Sequence, residues 1–345
     1  MEKIYIGLAD RLLVIQKQNN EYIFSNHLQG KKINSLAFDP LNDSRIYVAT
    51  AREGLWRTED KGKSWERIGE NENAIKSSII TSVAVHPNKK VNGNSVVYAG
   101  TEPTALYYSI NNGKDWENFS DIQNLPSKKN WSFPPRPETH YARWVTPSYF
   151  NENNLALSIE AGAVIYTKDH GKNWHDRAEE SPIDVHTLLS HPKQENRLYA
   201  ANGDGGSNPK YAYAESYDWG VSWEYKSEGI EEHPYLYNMV LNSENPEERL
   251  VSASKSASQA HRSPRYSTIY RKLNKEPWVE LAEGLPKDGA YTHHLAEDPQ
   301  IPGAYYALNN YGIYYLALGE ENWQKMAIDA KENDFSQRAY CFFVK

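Results

Sequence analysis

The sequence is poor in sulfur: 345 residues contain one cysteine, Cys341, and three methionines. A single thiol cannot close an intramolecular disulfide, which excludes a disulfide-stapled scaffold and fits a reducing compartment. Cys341 lies in the apolar run Tyr340-Cys341-Phe342-Phe343-Val344 and reads as a buried structural thiol. No apolar run approaches the ~18 residues of a helical membrane span. The first residues, MEKIYIGLADRLLVIQ, lack the basic start and long apolar core of a signal peptide. A cytoplasmic location is therefore expected. Basic residues are outnumbered, 38 Lys and Arg against 45 Asp and Glu, for a net charge of −7. That balance argues against a nucleic-acid or anionic-membrane surface, so neither is expected as a partner.

Aromatic residues are abundant, with 25 Tyr and 10 Trp. They favour pleated, half-buried surfaces and point to strand. A short motif also recurs: TEDKGKSW (Thr58 to Trp65), SINNGKDW (Ser109 to Trp116), TKDHGKNW (Thr167 to Trp174) and SYDWGVSW (Ser216 to Trp223). Two degenerate copies end in Trp278 and Trp323, and successive Trp residues lie 51, 58, 49, 55 and 45 positions apart. Such a period marks a repeat architecture. A short acidic side chain accepts hydrogen bonds from N–H groups of its own turn, the following Gly supplies a positive φ, and the Trp anchors the next strand. Asp60, Asn111, Asp169 and Asp218 thus read as structural.

Upstream of each turn stand two strands joined by a short loop, and before them a strand ending at proline, as in INSLAFDP, ITSVAVHP and HYARWVTP. Four antiparallel strands per ~50 residues form a propeller blade. Six units run from about Ile33 to Met326. The N-terminal KIYIGLADRLLVIQKQNNEYIFSN supplies three more strands and the C-terminal RAYCFFVK a fourth. The expected fold is all-β: residues 1–345 form a single seven-bladed β-propeller, closed by both termini in one blade. Six blades with an added ribbon is the alternative.

The turn S/T-x-D-x-G-x-S/T-W resembles the Asp-box, or BNR repeat, of sialidase-like propellers, and the likeness extends over nearly the whole chain. Within that family the sequence is most similar to single-propeller bacterial proteins of the "BNR-repeat glycosyl hydrolase" type. The resemblance implies a propeller whose ligand binds at the channel mouth. A true sialidase is not implied: those enzymes are six-bladed and carry an Arg-Ile-Pro motif, whereas the only Ile-Pro here, Ile301-Pro302, follows Gln300.

Strand starts and the loops between second and third strands share one end of a propeller, where ligands bind. The segment 124–144, NLPSKKNWSFPPRPETHYARW, is long and stiffened by proline, and is expected over the channel mouth. It carries Trp131, Arg136, His140 and Arg143. Glu160, Asp184, His186, Asp204, Arg262, His293 and His294 fall at the same end, on different blades. His86 and His191 lie at the opposite end and read as structural. Asn34 and Thr81 stand near the corresponding positions of the first two blades.

Three functions fit this set. In a hydrolase of a glycoside or small polar metabolite, Glu160 and Asp204 would act as acid and base with His186 beside them. Arg136, His140, Arg143, Asp184, Arg262 and His293 would hold the substrate. In a metal-dependent lyase or oxygenase, His140, His186, His293 and His294 are candidate ligands, with a divalent transition metal as cofactor. In a non-catalytic propeller the same face binds a small molecule, a glycan or a protein partner. Hydrolysis is the leading expectation. Each residue also has a structural role open to it: Asp184 can cap a turn, and Gly203, Gly205 and Gly206 can shape a loop.

Overall fold

The computed structural model describes residues 3–19, 21–71, 74–328 and 335–345. The chain is a seven-bladed β-propeller of antiparallel sheets. From the inner strand outward, the first blade is Ile33–Phe38, Ile46–Thr50, Leu55–Thr58 and Glu66–Ile68. The second is Ile80–Val91, Asn94–Thr101, Leu106–Ser109 and Glu117–Asn118. The third is Ala142–Pro147, Leu155–Ile159 and Ala163–Thr167, its outer strand reduced to one bridge between Tyr166 and His175. The fourth is Val185–His191, Gln194–Asn202, Tyr213–Ser216 and Glu224–Tyr225. The fifth and sixth start at Tyr235–Leu241 and His294–Glu297. The seventh joins Cys341–Val344 to Lys3–Gly7, Leu12–Gln18 and Glu21–His27, as expected from the two terminal fragments.

Two compact units make up the chain. One comprises Gly30–Ala200 and Glu215–Glu224; the other comprises Met1–Gln29, Ala201–Ala214 and Tyr225–Lys345. In the first, the middle strands IYVAT, LALSI and AVIYT are buried at every position, because blades stack on both faces. Its core packs Tyr47, Ile68, Val97 and Trp116 between blades one and two, and Tyr98, Phe119, Trp131, Ile159 and Ile165 between two and three. In the second unit, Phe342 packs with Ile4, Ile6, Leu13, Leu308 and Ile313. Cys341 is buried there, and burial pushes its thiol up to about 12.

The repeated turns are closed by two side chains each. Thr58 Oγ1 accepts from Gly62 N at 2.9 Å, while Asp60 accepts from Ser64 N at 2.9 Å and Ser64 Oγ at 2.6 Å. Thr167 with Asp169, and Ser216 with Asp218, repeat this pattern. The Ser64 hydroxyl and amide hold Asp60 at about 2, so these carboxylates are turn staples. The residue before each Gly is left-handed too: Lys61, Asn112, His170 and Trp219 have φ near 60°. One expectation changes in the second blade. His86-Pro87 lies inside the strand Ile80–Val91, where the register shifts between Val85 and Lys90, and Asn92-Gly93, both at positive φ, makes the turn.

Inner strands share a further device. Register shifts leave Asn34, Thr81 and Arg143 as extra residues near the strand starts. Each reaches a backbone carbonyl of the next blade: Asn34 to Ile80 at 2.8 Å, Thr81 to Ala142 at 2.6 Å, and Arg143 Nε to His186 at 3.1 Å. Thr146 Oγ1 likewise donates to Leu188 O at 2.6 Å.

Thr146→Val keeps the side-chain shape and removes that donor, so we expect a loss of about 1–3 kcal/mol in chemical denaturation. The turn glycines give a second expectation. Gly62 and Gly171 both have positive φ, but a Cβ on Gly171 would meet Phe119 Cε1 at 2.2 Å, whereas on Gly62 the nearest atom is Trp65 Cζ2 at 3.6 Å. Gly171→Ala should therefore lower Tm well beyond Gly62→Ala, the overpacking adding about 1–3 kcal/mol to the shared backbone strain. Equal Tm values would count against tight packing at the Phe119 turn.

Candidate functional site

Blades three and four bring together Tyr141, Arg143, Glu160, Asp184 and His186. The hairpin between Leu155–Ile159 and Ala163–Thr167 turns through Glu160-Ala161-Gly162. Ala161 takes φ 46°, and its N–H donates to Asp184 Oδ1 at 3.2 Å. The Glu160 N–H donates to Tyr141 O at 3.2 Å, which fixes the hairpin against the neighbouring strand start. Arg143 is the extra residue of the bulge between Ala142 and Trp144, and Tyr141 directly precedes the strand, so both side chains reach Glu160 at the strand start.

The side chains form a compact charge cluster. His186 Nε2 stands 3.5 Å from Glu160 Oε1 and 3.6 Å from Asp184 Oδ1. Arg143 Nε lies 3.2 Å from Glu160 Oε2, although its N–H is directed at the His186 carbonyl. The His186 side chain is 1 % exposed and that of Glu160 10 %, while Arg143 and Asp184 keep 22 % and 25 %, so the last two present the accessible edge. Burial alone would push Glu160 up. Arg143 and His186 outweigh it, with help from the Tyr141 hydroxyl, and hold the carboxyl at about 2. Burial would push His186 down, but Asp184 and Glu160 carry it up to about 9. At neutral pH the cluster therefore holds two carboxylates, one imidazolium and one guanidinium.

The other candidates are placed as follows. Arg136 is clasped by Glu102, with Nη1 2.6 Å from Oε1 and Nη2 2.9 Å from Oε2. Arg136 also lies over Phe133, whose ring meets Tyr141 edge-on at 5.1 Å. The proline-rich segment is thus latched to the second blade and touches the cluster through Phe133. Trp131 is buried and donates to Ser127 Oγ, so it serves the core rather than a channel mouth. His140 packs edge-on against Trp131 at 5.5 Å, and burial lowers its pKa.

Asp204, Arg262, His293 and His294 belong to the second unit. Asp204 begins the 3₁₀ turn Asp204–Gly206 and is partly buried. A Cβ on Gly205 would fall 1.9 Å from Pro234 O, so that glycine is there for close backbone approach. Arg262 is exposed, just after the short helix Ala257–His261. His293 is corrected as a metal or substrate candidate. Nδ1 meets Ser267 Oγ at 2.8 Å and Nε2 meets Asn309 Nδ2 at 3.0 Å, so both ring nitrogens are taken. Burial lowers it to about 3, which keeps it neutral. His294 Nε2 donates to Ala339 O at 3.0 Å. As for the acid and base roles expected of Glu160 and Asp204, the ion pairs with Arg143 and His186 favour the ionised form of Glu160, and Asp204 is not among the residues of this cluster.

Sequence reading missed two participants. Tyr141 lies in the segment 124–144 but carries no signal of its own, because the bulge at Arg143 breaks the strand alternation that would relate the two. Glu102 carries no sequence signal, since only folding sets it opposite Arg136.

The geometry can be set beside known proteins. No family model matches the sequence. A probable oligoxyloglucan-reducing end-specific xyloglucanase of Neosartorya fischeri is 28 % identical over 95 residues, which is 27 % of this chain and 11 % of that protein. The GH74 enzyme of Niastella koreensis superposes with a TM-score of 0.66 at 14 % identity, over 93 % of this chain and 51 % of that one. YCF48 bound to D1 peptide superposes with a TM-score of 0.58 at 18 % identity, over 94 % and 85 %. This chain thus spans about a tenth of the curated relative and about half of the GH74 enzyme. At these identities the likeness shows the propeller fold.

The charge cluster makes stability depend on pH in a defined sense. His186, raised above its usual 6.5, stabilises the fold fully below that value, and the contribution is lost as pH rises through about 9. Glu160, lowered from 4.5, stabilises the fold above that value, and the contribution is lost as pH falls through about 2. An NMR titration of the His186 ring should therefore find a midpoint well above 6.5, moving down in Glu160→Gln. A wild-type midpoint at or below 6.5 would contradict the ion pair.

Proposed function

We propose that this chain is a saccharide-binding propeller, whose ligand is held at the Tyr141, Arg143 and Asp184 edge of blades three and four. The observation that carries this reading is the position of His186 between Glu160 and Asp184. A glycosidase sets two carboxyl groups on either side of the scissile bond and keeps one protonated. Here an imidazolium stands between the carboxylates and Glu160 is fully ionised. The inner pair serves to fix Arg143 and Asp184, whose partly exposed heads can bond to hydroxyl groups. Phe133 and Tyr141 add apolar surface beside them, and the segment 124–144 borders the site as a lid latched by Arg136 and Glu102. The short match to a xyloglucanase supports a glycan as the ligand class.

Hydrolysis of a glycoside is the second reading. It is favoured by a proton donor, His186, and an ionised carboxylate, Glu160, lying within one cluster beside the Tyr141 hydroxyl.

Calorimetric titration with xyloglucan oligosaccharides and other neutral glycans separates the two. Binding without turnover, weakened at least about tenfold by Asp184→Asn or Arg143→Lys in variants that circular dichroism shows to be folded, is the expected outcome. Turnover of a glycoside that Glu160→Gln abolishes would establish the second reading in its place. Binding that both edge variants leave intact would move the site elsewhere.

A further inference from the structure

The same cluster contains a donor set that saccharide binding does not require. Glu160, Asp184 and His186 each offer a ligand atom, and these atoms lie within 4.8 Å of one another. In addition, Glu160 Oε2 is buried, and its neighbour Arg143 Nε, 3.2 Å away, aims its N–H at the His186 carbonyl instead. The Glu160 carboxylate is balanced by charge but not fully hydrogen-bonded, so it keeps lone pairs that a cation could take.

We propose that Glu160, Asp184 and His186 bind a divalent transition metal, with zinc as the best match. Zinc–oxygen and zinc–nitrogen bonds of about 2.1 Å in a tetrahedron put ligand atoms about 3.4 Å apart. His186 Nε2 lies 3.5 Å from Glu160 Oε1 and 3.6 Å from Asp184 Oδ1, close to two such edges. The third separation, between the two carboxylates, is within 4.8 Å, and a bound cation would draw their oxygens together. His186 ligates as a neutral imidazole, its Nε2 lone pair taking the place of the N–H. Three protein ligands leave one position open to water or an incoming hydroxyl group, as in catalytic rather than structural zinc sites.

The neighbouring groups set the strength of the site. Arg143 stands 3.2 Å from Glu160 Oε2 and repels a cation, while the Tyr141 hydroxyl lies beside the same carboxylate. The metal therefore binds reversibly, less tightly than in a structural zinc site. Arg143 orients the Glu160 carboxylate from outside the ligand set, a positioning role.

The metal would replace the imidazolium pairing of the saccharide reading at His186 and Asp184, but the two readings fail separately, since metal binding is measured without any glycan. Chelator-treated full-length protein is titrated calorimetrically with zinc chloride, and separately with cobalt chloride while visible absorption is recorded. The expected result is one equivalent bound, with a cobalt absorption band typical of low coordination number. Glu160→Gln, Asp184→Asn and His186→Asn should each weaken binding about tenfold or more. Asp184→Asn is the safest for folding because that side chain is partly exposed, and circular dichroism checks each variant. His175, exposed and outside the cluster, serves as the control for adventitious binding. No stoichiometric binding to wild type, or binding that survives Asp184→Asn and Glu160→Gln but falls in His175→Asn, would overturn the proposal.

Discussion

The inner strand of each blade is a sheet edge, and the rest of the structure depends on how its unpaired backbone groups are satisfied. An edge carbonyl without a donor is costly when water is excluded. Here the donors are side chains from the preceding blade. Asn34, Thr81 and Arg143 stand at equivalent bulges and reach Ile80, Ala142 and His186 in turn. In the other unit a side chain satisfies the complementary group, Asn238 Oδ1 accepting from Leu295 N. Side-chain stitches thus replace the ladder that an inner strand cannot make.

Arg143 shows how a functional position grows out of this constraint. An amide or hydroxyl is enough for the stitch in blades one and two. A guanidinium at the third bulge makes the same bond and leaves charge to spare. That charge meets Glu160, and Glu160 in turn requires His186 and Asp184 to balance it. The candidate site is therefore an elaboration of a blade-to-blade bond, which explains why half of it is buried.

The repeated turn does the complementary work at the outer side. Asp60, Asp169 and Asp218 are held ionised by donors of their own turns. Their carboxylates close hairpins, and Gly171 and Gly220 let the neighbouring aromatic rings of Phe119 and Tyr166 approach. Six motif copies and two terminal fragments were enough to read seven blades, because the turn chemistry is local and its spacing follows the blade length. The third blade's missing outer strand was not legible: its turn motif is intact, but the segment that follows packs through His175 on Tyr166 instead of pairing along its length.

The sequence by itself determined the fold class, the closure by both termini, and the structural role of the motif aspartates. All of these rest on short-range patterns: strand alternation, turn residues and a period. It also placed Arg143, Glu160, Asp184 and His186 at one end of the blades, since loop position follows from strand order. Only the tertiary structure decided their charge. The Glu160 carboxyl is lowered and the His186 imidazole raised because Arg143, Glu160 and His186, 17 to 43 positions apart, are packed within a few ångströms of each other, with Asp184 beside His186. The same packing gave Arg136 to Glu102 and both nitrogens of His293 to Ser267 and Asn309. Electrostatic energy depends on distance and on exclusion of water, and neither quantity is written in residue order.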